Sequence, residues 1–197
     1  MTKHHLPIVG VLAAMVLFAL ATTRYPGGYD WANNTISALF QPHALNGAHN
    51  PARTIAVLAV FVFCVSMAVV FKWVSSSGAK SRFHKKTIEI SGIGSMVYAF
   101  LVVTPMHNVL VSVSLIFFLT AMLTTLHMVY SEGRSRMFYS GIVCLTLPLT
   151  NAVLYYGNVL YGFLPIVQKL GMAMWVGWVI AVLLTRSKGV TKRLDPA

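Results

Sequence analysis

Residues 54–74 read TIAVLAVFVFCVSMAVVFKWV. This run holds no acid and a single base, Lys72, near its end. Crossing the hydrocarbon core of a bilayer takes roughly 20 apolar residues in helical form. No water satisfies the backbone there, so such a segment must close its own hydrogen bonds and is read as a helix. Working outward, five more apolar stretches follow the same rule, at about 6–22, 87–106, 108–130, 138–157 and 164–185. No ten-residue alternation suggests a barrel. The expected fold is therefore all-α: a polytopic transmembrane bundle of six helices forming one integral membrane domain over 1–197.

The composition agrees. Of the 197 residues, 57% are hydrophobic and 10% charged, and the mean hydropathy is +0.72. A soluble domain carries about 25% charged residues, so this chain lacks the polar groups to cover a wet surface. Its net charge is +11. Because the bases sit between apolar spans, they read as membrane flanks, not as a nucleic-acid surface. Cys64 and Cys144 both lie in apolar stretches and suggest small buried residues, with no disulfide or redox pair.

The bases orient the chain. Lys3 precedes the first span. Lys72, Lys80, Arg82, Lys85 and Lys86 lie at or between the ends of spans two and three, and Arg134 and Arg136 between four and five. Arg186, Lys188, Lys192 and Arg193 follow span six. The opposite side holds only Arg24 and Arg53, with Lys169 inside span six. Positive flanks stay in the cytoplasm, so both termini are expected inside (N-in/C-in). Lys3 and Ala19-Leu20-Ala21 resemble a cleavable signal. Span one is read as retained, and its orientation is the same in either case.

One loop is long, about residues 23–53 on the outer side. Loops of that length are functional or disordered. Trp31, Tyr25, Tyr29 and the run 36–40 argue for order, with residues 33–40 expected as a short helix at the outer interface. Glu132 is read as solvated in an inner loop. Small residues four apart, Ser91, Ser95 and Ala99 in span three and Ala173, Gly177 and Ala181 in span six, are read as helix-packing faces.

Polar groups at membrane depth are candidate site residues. Lys169 reads either as a side chain snorkelling outward or as a cation facing an outer cavity, paired with a headgroup or with Asp30. Asp30, the one outer acid, also suits a turn in Gly27-Gly28-Tyr29-Asp30. His107 caps the turn between spans three and four. Asn151 follows Pro148 in span five, where proline frees a carbonyl. Arg53 and Trp31 complete the candidate ligand set. His43, His49 and His107, with Asp30, are zinc ligands by type, but their spacing matches no metal motif. No cofactor is expected.

Three segments resemble a known family: Tyr25 to Asp30, then Asn34-Thr35-Ile36-Ser37-Ala38-Leu39, then Asn50-Pro51. With Ser91-Gly92-Ile93-Gly94 running to Thr104-Pro105, and His107 after it, they are similar to an uncharacterised six-helix membrane family, domain of unknown function nine-nine-eight. The resemblance spans the first four helices. It implies a six-helix bundle in a prokaryotic plasma membrane and a connection between the outer loop and His107. Ala38 and Met106-His107 stand where that family tends to carry acids, which disfavours carboxylate chemistry.

Three functions compete. The first is binding of a lipid or small hydrophobic ligand at the outer leaflet, walled by Tyr25, Trp31 and Phe40 and anchored by Lys169 and Arg53. The second is a metal-dependent lipid hydrolase using His43, His49, His107 and Asp30, with Ser37 nearby. The third is a small-solute transporter, which predicts discontinuous helices. Membrane lipids are the expected partners, nucleic acid is not, and homo-oligomerisation is left open.

Overall fold

The computed structural model describes residues 5–78 and 81–194. Lys3, Lys80 and Asp195 lie outside the described residues, as do the side chains of Lys188, Lys192 and Arg193. Six α-helices form: α1 (Leu6–Thr23), α2 (Ala52–Gly78), α3 (Arg82–Leu101), α4 (His107–Ser131), α5 (Ser135–Gly157) and α6 (Leu164–Leu194). Short 3-10 turns occupy Ile36–Phe40 and Tyr161–Phe163.

Local chemistry fixes several helix ends. Pro7 stands in the first turn of α1, where a missing N–H costs nothing. Ser81 caps α3 by accepting a hydrogen bond from the Phe83 amide at 3.2 Å. The α4–α5 turn needs a left-handed residue, and Gly133 supplies it at φ 71°. Its N–H donates to the Tyr130 carbonyl and that of Arg134 to the Val129 carbonyl, which closes the orphaned end of α4.

Five helices are long and apolar enough to cross a membrane. The exception is α3, whose first turns carry Arg82, Lys85, Lys86 and Glu89. It also ends at Leu101, not near residue 106, because Pro105 has no N–H to give the Leu101 carbonyl. Nevertheless α3 runs antiparallel along most of α4. His84 lies against His127 with ring centroids 5.0 Å apart, the Ser114 hydroxyl donates to the Ser95 carbonyl at 2.9 Å, and Tyr98 stacks on Phe117. Its 20 residues rise about 30 Å, the thickness of the hydrocarbon core.

Helices α2, α3, α4, α5 and α6 pack in a ring, each on the next, and α6 closes back onto α2. α1 lies outside the ring against α2. α2 is the hub, and Met67, Val70, Phe71 and Val74 on it are fully buried. Ser91 and Ser95 of the expected small face are buried, and on the same helix a Cβ at Gly92 would come within 2.4 Å of the Phe71 ring. The α6 face does not pack as expected. Ala173 and Gly177 are exposed, and a Cβ on Gly177 would meet nothing within 4 Å. Trp175, Trp178, Val179, Val182 and Leu183 bury the other side of α6 instead.

At the inner end, Glu132 is not the solvated residue expected. It forms an ion pair with Arg186, which is 7% exposed, and sits 3.8 Å from Arg134. Arg186 also donates to the Val74 carbonyl at 3.4 Å. Arg134 reaches the Thr185 hydroxyl. Its guanidinium pKa is lowered by burial and by Arg186 beside it, and Glu132 opposes that shift. The cluster ties α2, α4 and α6 together beside the buried apolar side chains of Val74, Met128, Val129 and Leu183.

A candidate ligand chamber beneath the outer loop

The outer loop is pinned to the helices by side chains whose polar atoms end on its backbone. Asn50 is 2% exposed; its amide donates to the carbonyls of Leu39 (3.2 Å) and Gln41 (2.9 Å), while its Oδ1 accepts from the Ala52 N–H. Arg53 Nε donates to the Phe40 carbonyl at 3.0 Å. From α6, Gln168 Oε1 accepts from the Ile36 N–H at 3.0 Å. Lys169 Nζ donates to the carbonyls of Trp31 (2.9 Å), Asn34 (2.5 Å) and Pro165 (3.2 Å), and lies 5.6 Å from the centroid of the Tyr29 ring.

These contacts place the residues of the expected ligand set. The Lys169 side chain does reach outward, and its Nζ ends on protein carbonyls. It makes no ion pair with Asp30 among the described residues. Asp30 is a turn residue. Its carboxylate accepts from the N–H groups of Ala32 and Asn33 and from the Asn33 amide. The Asn33 side chain first, then the two backbone N–H groups, hold its carboxyl below the usual range, with Lys169 a minor contributor. Burial, with Tyr25 second, raises the pKa of the Tyr29 phenol, which donates to the Asn34 carbonyl at 2.9 Å. Trp31 is 55% exposed at the rim of the loop. Residues 36–40 turn inward: Ala38, Leu39 and Phe40 are buried, so this 3-10 turn plugs the bundle and does not lie along its surface.

Beneath the plug lies a chamber of about 320 Å³ lined by residues of the loop and of all six helices. Phe18, Phe40, Val60, Phe63, Met96, Phe118 and Trp175 make much of its apolar wall. Its polar lining comes from Thr35, Ser37, His107, Ser114, Asn151, Tyr155, Tyr156 and Gln168. None of the residues lining it is Asp, Glu, Lys or Arg. Thus His107 and Asn151 belong to one site, with Ser37 of the loop, whereas Lys169, Asp30, Arg53 and Trp31 do not line it. Of the expected walls, Phe40 lines the chamber; Tyr25 is buried elsewhere in the loop, where its hydroxyl accepts from the Leu45 N–H.

Hydrogen bonds account for most of the polar lining. Tyr155 donates to Asn108 Oδ1 at 2.6 Å, and His107 Nδ1 is 3.1 Å from the same oxygen. Tyr156 pairs with Ser112 across α4 and α5 at 2.7 Å. Thr35 pairs with Ser37 at 2.9 Å. The exception is Asn151: its Oδ1 is buried with no partner among the described residues. A buried acceptor left unpaired costs about 1–3 kcal/mol, so Asn151, a residue of the chamber wall, carries a carbonyl that the described side chains leave unsatisfied. Sequence reasoning missed Gln168, Ser114 and the tyrosine pair. Gln168 had a visible signal, since an uncharged amide inside span six is itself unusual there.

The alternative metal set does not assemble. His43 and His49 face each other across an isolated antiparallel bridge in the loop, and His107 lies in the chamber. Among the described residues no three His, Cys, Asp or Glu side chains gather in a group able to hold a metal ion. The reason is geometric: the loop folds its His43–His49 bridge outside the chamber, while α4 directs His107 into it. No protein-family model matches the chain, no curated protein matches it, and no solved structure matches it.

Proposed function

We propose that this chain binds a small amphiphile, a lipid or similar hydrophobic molecule with an uncharged, hydrogen-bond-donating head, in the chamber under its outer loop. The carrying observation is a largely apolar chamber of about 320 Å³ whose wall includes Asn151, the carbonyl of which is buried without a partner. Ligand sites commonly have this character: apolar walls with a few convergent polar groups. The lack of Asp, Glu, Lys or Arg in the lining favours a neutral head over the anionic one that Lys169 and Arg53 were expected to meet. His107, Ser114 and Gln168 supply further polar contacts around that head.

The setting is proposed as a prokaryotic plasma membrane with both termini inside, on the strength of the lysine and arginine asymmetry. Affiliation with the six-helix family of domain of unknown function nine-nine-eight is proposed from the loop and span-three residues alone. The placement of Ser37 and His107 around one chamber supports the loop–His107 connection that this affiliation implies. The hydrolase reading lacks its ligand cluster. The transporter reading lacks a broken helix, because α5 stays helical through Pro148.

The test is mass spectrometry of small molecules extracted from the purified full chain, comparing wild type with Ala152→Trp, which fills the chamber. A neutral amphiphile present at about one per chain and lost in Ala152→Trp supports the reading. Equal recovery from both proteins sinks it.

A further inference from the structure

A second concavity lies between α3 and α4 at the inner end, on the outside of the ring. It is a groove of about 570 Å³, headed by Arg82 and Lys86 and walled by Phe83, Ile90, Ile116 and Phe117. Arg82 and Lys86 are four residues apart and so share one helix face. Both are exposed, and neither forms an ion pair among the described residues. No acid lines the groove. Deeper in, Phe117 packs on Gly94, where a Cβ would come within 2.8 Å of its ring; a larger residue there would displace the ring that closes the groove.

The depth of the two cations follows from register. His84 touches His127, one turn before α4 ends at Ser131. α4 is long and apolar enough to cross a membrane, which puts its last turn at headgroup level. Arg82 and Lys86 flank His84 and share that level. From Arg82 to Gly94 the axis rises about 18 Å, with Phe83, Ile90 and Ile116 exposed along it at 73%, 64% and 65%. A paired cation head at the interface with an apolar trough running toward the bilayer centre matches the shape and charge of one molecule class.

We propose that this groove binds a single anionic glycerophospholipid of the inner leaflet, its phosphate held by Arg82 and Lys86 and an acyl chain laid along Ile90, Ile116 and Phe117. Basic residues at this level attract anionic lipid generally. The groove converts that attraction into a defined site. The inference does not depend on the chamber.

The experiment reconstitutes the full chain in nanodiscs of phosphatidylcholine and phosphatidylglycerol and measures lipid retained after release by native mass spectrometry. One phosphatidylglycerol per chain is expected to stay bound in preference to phosphatidylcholine. Removing both charges (Arg82→Gln with Lys86→Gln) should weaken its retention about thirty-fold, five- to six-fold per charge. Lys85→Gln, on the same turn but outside the groove lining, should leave it unchanged. Thr120→Trp fills the groove with both charges intact and should abolish retention. Equal retention of the two lipids overturns the proposal. So does a Lys85→Gln loss equal to that of the double variant, or full retention in Thr120→Trp, since either means diffuse surface attraction and not a site.

Discussion

At the scale of single residues, position decided which polar groups serve the fold and which remain available. Lys169 and Arg53 look like ligand-binding cations in sequence because both are isolated bases on the outer side. In the structure each satisfies carbonyls of a loop that would otherwise leave them unpaired beside apolar helix ends. Lys169→Met is expected to free the loop, destabilising it by about 2 kcal/mol for the lost charged hydrogen bonds and exposing residues 24–51 to protease in reconstituted vesicles. Asn151 is the converse. Asn151→Leu removes an unpaired buried acceptor, so the ligand-free variant should melt higher than wild type, by about 1 kcal/mol, while losing ligand retention. A lower melting temperature in ligand-free detergent solution would mean that Asn151 is structurally satisfied. Asp30 supplies a pH test. Its carboxyl is held below the usual range, so its contribution to the turn is full above about pH 4 and fades as pH falls through the folded value. Amide exchange at Ala32 and Asn33 should quicken in acid for wild type, and Asp30→Asn should lack that step.

At the scale of elements, apolar runs marked the helices well because bilayer and backbone impose one answer. Residues 54–74 lie within α2 and 108–130 within α4. What the runs left unread was which face of each helix meets a neighbour. The small residues of span three do pack, yet Gly177 on α6 faces open space, since hydropathy is nearly uniform around a membrane helix and carries no direction. The loop was legible as ordered from its aromatics, but not its inward plunge at Leu39 and Phe40, which depends on long-range partners, Asn50 and Gln168. The chamber was half legible: Asn151 stood out as a polar residue at membrane depth and His107 as a polar residue at the outer turn, whereas the tyrosines blended into the interface. A buried glycine that the apolar pattern did not single out is Gly141 on α5. A Cβ there would come within 2.4 Å of Trp178 and 2.5 Å of Leu126. Gly141→Ala should therefore overpack the α4–α5–α6 contact and cost about 1–3 kcal/mol, read as a lower melting temperature. Gly177→Ala should cost nothing measurable in the monomer.

At the scale of the whole molecule, the ring of five helices is held at its two ends by different chemistry. The outer end is closed by loop backbone received on side chains of α2 and α6, which leaves the chamber beneath it. The inner end is closed by charge, with Arg186 of α6 buried against Glu132 at the end of α4 and donating to the Val74 carbonyl of α2. A buried ion pair is weak as a net stabiliser, but removing one partner strands the other charge and costs about 3–5 kcal/mol. Glu132→Gln should thus lower the melting temperature by about 6–12 °C, taking about 3 kcal/mol in a chain of this size. Replacing both partners with apolar residues, Glu132→Leu with Arg186→Met, should recover most of that loss, because nothing charged is then left without water. If the single variant melts like wild type, water already satisfies Arg186 and the inner closure is not electrostatic. If the double variant stays as low as the single, the cluster contributes specific geometry across α2, α4 and α6 that apolar contact cannot replace, and the ring's closure rests on directional bonds at its inner end as it does at its outer one.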